Sequence, residues 1–310
     1  MLNGVRQSRD LLFELEPDVC LVTGGYVCAP VVVACRQQGV PVLIYLPDMA
    51  PGSAIRWLSR LAQRVAVSLP DAAAYFGGLI SNGGKAVVTG YPVRQELIDA
   101  ARDRADSRRE LATRLATSLG THEDLPLLLI WGGSQGSRSI NQATWAALAE
   151  LLPMAQVLHV VGLRDWPLYE ELADKLTAEE LQFSDEVMAR YHPVPYLHEE
   201  MALALAAADL TVARAGASAL GEFPVAGLPS VLVPLPFAGS NQQSNAEQLA
   251  TCGAAVVLQD ATLAETLTPT LQELLTDEER LTAMADAAST MAQPDAASAI
   301  ARVLAEIAGA

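Results

Sequence analysis

Short apolar runs alternate with longer stretches whose apolar residues recur at helical spacing, along nearly the whole chain. Val19–Thr23, Val42–Leu46 and Ala86–Thr89 read as buried strands. A helix near Pro30–Gln38 and another over Ala54–Val65, with Ile55, Leu58 and Val65 facing inward, complete a βαβ rhythm. Continuous apolar strands separated by helices predict a parallel sheet covered on both faces. The chain then turns charged over Asp99–Asp124, with Arg102, Arg104, Arg108, Arg109 and Arg114 among acids, and reads as a solvated helix and loop at a domain boundary. A second alternation follows, with strands at Leu127–Trp131, Val157–Val161, Leu210–Ala213, Ser230–Pro234 and Ala254–Leu258. Its first helix, Arg138–Leu152, sets Ile140, Leu148 and Leu151 on one face. Asp295–Ile307 closes the pattern as a helix with Ile300, Val303, Leu304 and Ile307 at core spacing. Two Rossmann-like α/β units are the economical reading.

A length of 310 residues agrees with two domains. The formal net charge of −16 excludes a general nucleic-acid binder, which needs clustered Lys and Arg, and weakens attraction to anionic lipid except at a local basic patch. Arg56, Arg60 and Arg64, four apart beside Trp57, are such a patch, read as a membrane-surface stripe or as a solvated helix face. Cysteines 20, 28, 35 and 252 have no metal spacing and read as buried thiols in a reducing compartment. Val19–Cys35 is uncharged, but Gly24-Gly25 and Pro30 punctuate it as strand, turn and helix rather than a membrane span. Met1–Asp10, polar and charged, does not read as a signal peptide.

Chemistry concentrates at strand ends. "WGGSQGSRSIN" puts Gly132, Gly133 and Gly136 between a strand and a helix, where free backbone N–H groups and the helix dipole suit a phosphate, or where the chain simply turns tightly. Ser134 adds a hydroxyl, and the loop lacks the Gly-Lys-Ser/Thr of a Walker motif. "VTGGYVCAP" repeats the device with Gly24, Gly25 and Tyr26. In "ARAGASALGEFPVAGLPSVLVPLP", Arg214 suits phosphate or sugar and Glu222 suits ribose hydroxyls; the alternative is a surface Arg–Glu pair. "NQQSNA" from Asn241 offers amides that suit sugar hydroxyls, or a plain helix cap.

Together "GGYVCAP", "GYPVR", "GGSQGS", "RAGASALGE", "AGLPSVLVP" and "QQSNA" resemble, in order, the motifs of MurG-type UDP-N-acetylglucosamine transferases. The resemblance implies a GT-B fold. A partial acceptor-side domain over 1–95 would precede a UDP-sugar domain over 96–310, with the nucleotide sugar in the cleft and a final helix at 295–308 packing back toward the first domain. It implies an inverting transfer of N-acetylglucosamine to a polyprenyl-linked muramyl peptide, peripheral to the cytoplasmic face of a bacterial membrane, with no cofactor and no essential metal. Ser134 would contact the donor phosphate beside the loop of Gly132, Gly133 and Gly136. Glu222 would hold the ribose and Gln242 the sugar, with Arg94 a donor-site arginine. Arg214 and the run Ala217, Ser218, Ala219, Leu220 and Gly221 would line the nucleotide. The uracil would lie near Leu197 or His198, and Gly24, Gly25 and Tyr26 would form the acceptor-side loop.

There are departures from the family pattern. The family's opening glycine loop, which brings the favoured general base, has no counterpart, so the first domain is expected to be truncated at its N terminus. Either the chain is a fragment or mis-started version of such a transferase, or it is a divergent member with another base; in the second case Asp48 is the candidate, since a base must reach the acceptor hydroxyl. Tyr91, Ala219 and Asn241 stand where the family has Asn, Thr, and His or Gln. The rival readings are another GT-B UDP-sugar:lipid glycosyltransferase, a UDP-N-acetylglucosamine epimerase, and a donor-binding module that needs a partner chain.

Overall fold

The computed structural model describes residues 2–119, 124–133, 135–173, 184–237 and 241–309. The chain divides into two compact units, Met1–Val93 with Gln293–Ala310, and Arg94–Ala292.

The first unit is built on a parallel sheet of order β1-β2-β3-β4, with β1 Cys20–Val22, β2 Val42–Leu46, β3 Arg64–Val67 and β4 Ala86–Val88. Every residue of β2 is buried, as a strand covered on both faces requires. Helices α1 (Leu2–Leu15) and α2 (Cys28–Gln38) pack on each other. The last helix of the chain, Ala296–Ala308, lays Ile300 and Val303 on Leu43, Tyr45 and Ala66 of the sheet.

Two expectations fail here for one reason. The helix expected over Ala54–Val65 stops early: α3 covers Ser53–Leu58, and Val65 lies in β3 between Ile44 and Ala86. Lys85 Nζ donates to the carbonyls of Ser59, Arg60 and Ala62 at 3.2, 3.2 and 3.0 Å, satisfying groups that a continued helix would have bonded. Sheet pairing of the β-branched run then overrides helical spacing. Arg56, Arg60 and Arg64 therefore share no helix face; Arg56 lies 5.0 Å from the Tyr75 ring centroid, and Arg64 opens β3. The thiols also differ from expectation. Cys35 is buried and Cys20 and Cys28 are half-buried, but Cys252 is exposed because it caps the end of the helix Gln242–Thr251 at the surface.

The second unit carries a six-stranded parallel sheet of order β10-β9-β8-β5-β6-β7. The strands are β5 Leu127–Trp131, β6 Gln156–Val160, β7 Tyr191–Val194, β8 Leu210–Ala213, β9 Ser230–Leu232 and β10 Ala255–Val257. Helix α6 (Arg138–Leu151) buries Ile140, Leu148 and Leu151, and the helix Leu263–Thr276 adds Leu263, Leu267, Leu271 and Leu274 to the same core. The pattern missed β7, whose Pro193 reads against a strand; β7 is the sheet edge, where a missing N–H costs least. The charged segment forms α4 (Gln95–Ala100) and α5 (Arg104–Leu115), and it is less solvated than its composition implies. Leu111 is fully buried, and Arg104 and Arg108 hold the Asp209 carboxylate at 3.0 and 2.5 Å. Among the described residues, no helix is long and apolar enough to cross a membrane.

Candidate functional site

The sheet of the second unit winds outward from β5 in both directions, to β6 and β7 on one side and to β8, β9 and β10 on the other. Chains that leave adjacent strands toward opposite faces open a crevice at the strands' carboxyl ends, here between β5 and β8. A cavity of about 1350 Å³ occupies that position, walled by Gly132, Gly136, Arg214, Ser218, Glu222 and Gln242 among others. It has room for an extended ligand larger than a typical drug-sized molecule.

Glycine is required in its floor. A Cβ on Gly132 would stand 2.2 Å from the Ser137 nitrogen, so the loop can close on itself only without a side chain. Gly136 has φ +75°, and a Cβ there would meet the Val161 carbonyl at 2.7 Å. The tight turn delivers α6 with Ser137 at its N-cap and no acidic residue in its first turn, leaving the positive helix end uncompensated by its own sequence.

Around that first turn, Arg214 Nη2 donates to Ser137 Oγ at 2.7 Å and to Ser139 Oγ at 2.9 Å. Its Nη1 pairs with Asp260 at 2.6 Å and reaches the Val233 carbonyl at 3.1 Å. The surface Arg214–Glu222 pair considered from the sequence is not what forms: Arg214 turns to Asp260, and Glu222 lies within the electrostatic reach of Arg94. Burial raises the Glu222 carboxyl above its ordinary value, with a Ser218 hydrogen bond and the Arg94 charge acting the other way.

From the exposed Arg138 a polar chain runs inward to the buried Asp165, Asn141 and His159. Arg138 grips Asp165 through Nε at 3.1 Å and Nη2 at 2.7 Å. Asn141 Nδ2 donates to the Val161 carbonyl at 2.9 Å and to Asp165 Oδ2 at 3.1 Å. With both its protons committed, Asn141 presents Oδ1 to His159 Nε2 at 3.0 Å, so that nitrogen carries the ring proton. His159 Nδ1 then accepts from the Tyr191 hydroxyl at 3.0 Å, and that oxygen accepts from Trp145 Nε1 at 3.2 Å. Burial lowers the His159 pKa to about 3, keeping the ring neutral.

The remaining wall is fixed by similar contacts. Gln242 Oε1 accepts the Leu235 N–H at 2.9 Å, and the fully buried Asn245 donates to the Ala215 carbonyl at 3.2 Å, tying its helix to the loop after β8. Trp131 bonds Thr211 Oγ1 at 3.2 Å and meets the Phe223 ring edge-on at 6.3 Å. Tyr196 and His198, which line the cavity with Leu197, meet edge-on with ring centroids 4.6 Å apart.

Of the expected donor-site residues, Arg94, Gly132, Gly133, Gly136, Arg214, Ser218, Glu222 and Gln242 line this one cavity. Ala219, Leu220 and Gly221 are buried in the helix Ala219–Ala226, and Ala217 precedes it in the turn; none of these four is part of the wall. Ser134 lies outside the described residues. Asp48, Gly24, Gly25 and Tyr26 belong to the first unit, Asp48 half-buried in the loop after β2 and Tyr26 strongly exposed. Sequence reasoning missed Arg138, Ser139 and Asp260. Arg138 had a visible signal, a cation directly after the glycine loop, whereas Asp260 lies 121 positions from its partner Ser139 and had none.

The comparisons agree with this geometry. Residues 127–300 match the glycosyltransferase family 28 C-terminal domain, and residues 1–67 match the family 28 N-terminal domain. A Roseiflexus protein named UDP-N-acetylglucosamine–N-acetylmuramyl-(pentapeptide) pyrophosphoryl-undecaprenol N-acetylglucosamine transferase is 40% identical, over 98% of this chain and 72% of its own length. A Desulforamulus reducens protein of the same name is 36% identical, over 98% of this chain and 77% of its own. The crystal structure of Acinetobacter baumannii MurG superposes with a TM-score of 0.74 at 27% identity, covering 97% of this chain and 77% of that one. Two parallel-sheet α/β units with these neighbours give the GT-B class expected from the motifs. The chain belongs to glycosyltransferase family 28.

Proposed function

We propose that this protein transfers N-acetylglucosamine from UDP-N-acetylglucosamine to an undecaprenyl-pyrophosphoryl muramyl pentapeptide, the step from lipid I to lipid II in peptidoglycan synthesis. The observation that carries the reading is the convergence of the glycine loop, Glu222, Gln242 and Arg94 on one cavity at the switch point of the second unit's sheet, in a chain 40% identical to a transferase of that name.

In this reading the UDP diphosphate lies against the glycine-loop N–H groups and the N terminus of α6, with Ser134 beside it. Glu222 accepts the ribose hydroxyls, and Gln242 binds the sugar. Attack of the acceptor hydroxyl on the anomeric carbon breaks the bond to the diphosphate and inverts that centre. Fixed backbone dipoles and Arg94 stabilise the charge that develops on the departing UDP. Asp48, in the first unit, is the proposed acceptor of the hydroxyl proton, and Gly24, Gly25 and Tyr26 are the proposed acceptor-side loop. The protein would act peripherally at the cytoplasmic face of the membrane. Exposed apolar residues of the first unit support that contact: Phe13 is 79% exposed and Leu15 70%, with Leu11 and Trp57 also outward.

Calorimetric titration with UDP and UDP-N-acetylglucosamine tests the donor site. Both are expected to bind, and Glu222→Ala is expected to cost about 1.5–3 kcal/mol through loss of a charge-assisted contact. Absence of binding to the parent chain, or unchanged binding by the variant, refutes the assignment.

A further inference from the structure

Arg214 is the residue in the donor cavity whose chemistry most invites a phosphate, yet its guanidinium is already committed. Its Nη1 is paired with Asp260 at 2.6 Å, and its Nη2 donates to Ser137 and Ser139 at 2.7 and 2.9 Å. Ser139 in turn donates to Asp260 Oδ1 at 2.7 Å, which closes a ring of three side chains. The two charged groups are only 12% and 20% exposed, so water competes weakly for their bonds. Each member comes from a different part of the sheet: Arg214 follows β8, Ser139 begins α6, and Asp260 follows β10. The ring thus fastens the first turn of α6, and with it the glycine loop that precedes the helix, to the far half of the sheet.

We propose that Asp260 is a positioning residue for the donor: through Arg214 and Ser139 it holds the glycine loop and the N terminus of α6 in the shape that receives the diphosphate. This rests on the donor reading above. Asp260 lines the same cavity, but in this proposal it acts through its partners and not by contact with the phosphate. A carboxylate in direct contact with the diphosphate would repel it; here its charge is spent on Arg214. The same pairing makes Arg214 a strut rather than a ligand. Besides Arg94 and Ser134, diphosphate recognition then rests on backbone N–H groups that must be held to within a fraction of an ångström, a task for a rigid supporting ring.

The test compares UDP with uridine, which carries the same base and ribose without phosphate. Calorimetry gives the UDP affinity of the parent, Asp260→Ala, Asp260→Asn, Asp260→Glu and Ser139→Ala proteins, and NMR titration gives that of uridine. Asp260→Ala is expected to weaken UDP by about tenfold, a typical effect for a supporting residue, with unchanged stoichiometry and little change for uridine. Asp260→Glu should recover most of the loss. Ser139→Ala and Asp260→Ala combined should lose less than the sum of the two, because they belong to one ring. If Asp260→Ala does not fold, Asp260→Asn, which keeps the acceptor and removes the charge, carries the same expectation in smaller measure. Equal weakening of UDP and uridine makes Asp260 merely structural and overturns the proposal. Unchanged UDP binding overturns it too, and so does tighter binding, which would mean that Arg214 meets the phosphate directly and Asp260 restrains it. A parent protein that binds no UDP removes the donor reading itself, and this inference with it.

Discussion

His159 offers a prediction in which one proton decides the outcome. The ring is fully buried, its Nε2 proton is fixed by Asn141, and burial holds its pKa at about 3. In the unfolded chain the same imidazole titrates near ~6.5. A lowered folded pKa makes the contribution to stability complete above the unfolded value and progressively lost as pH falls toward the folded one. Between pH ~6.5 and ~5 the unfolded state gains a proton that the native state refuses. With the slope rising toward ~1.36 kcal/mol per unit as the unfolded imidazole protonates, the second unit should lose about 1.6 kcal/mol over that interval from this group alone. Most carboxylates stay ionised in that interval, and comparison with a His159 variant separates this ring from His192 and His198 of the same unit. Urea unfolding followed by tryptophan fluorescence, repeated at several pH values, measures the slope; Trp131, Trp145 and Trp166 all report on the second unit. His159→Gln removes the titration, so its stability should be flatter with pH even if lower throughout. Equal slopes for parent and variant refute the reasoning, as would a His159 imidazole NMR resonance, assigned by its loss in His159→Gln, that titrates above pH ~5 in the folded protein.

Two further outcomes follow from the cavity. Gly136→Ala places a Cβ 2.7 Å from the Val161 carbonyl at a φ of +75°; a loss of about 1–3 kcal/mol in the second unit's stability is expected, along with weaker UDP binding, and a variant equal to the parent in both would show that the loop does not need its tight closure. Glu222 has a raised pKa because it is buried, so UDP affinity should begin to fall with decreasing pH above the ordinary glutamate range near ~4.3. Glu222→Gln should lack that decline, while the carboxyl's own effect on stability runs the other way, easing as protonation removes a buried charge. Identical pH profiles for the parent and Glu222→Gln would rule out a carboxylate acceptor.

The sequence determined much of this protein by itself. Continuous apolar strands such as Val42–Leu46 and Leu127–Trp131 can only be buried on both faces, and with helices between them they specify parallel sheets. The glycine loop and Glu222 were legible because a strand end followed by a helix start is a local pattern. Tertiary structure decided what local pattern could not express. Val65 became a strand because β2 and β4 lie on either side of it, and Pro193 was tolerated because β7 ended at the sheet edge. Arg214 pairs with Asp260 rather than Glu222 because the fold brings the residue just after β10 within 2.6 Å of its guanidinium, across the intervening strand β9. The His159 tautomer likewise depends on Asn141, Asp165 and Tyr191, contributed by three other segments. Periodicity and motif spacing are short-range properties, whereas a buried charge takes its partner from whatever the fold sets beside it, because leaving it unpaired would cost several kcal/mol.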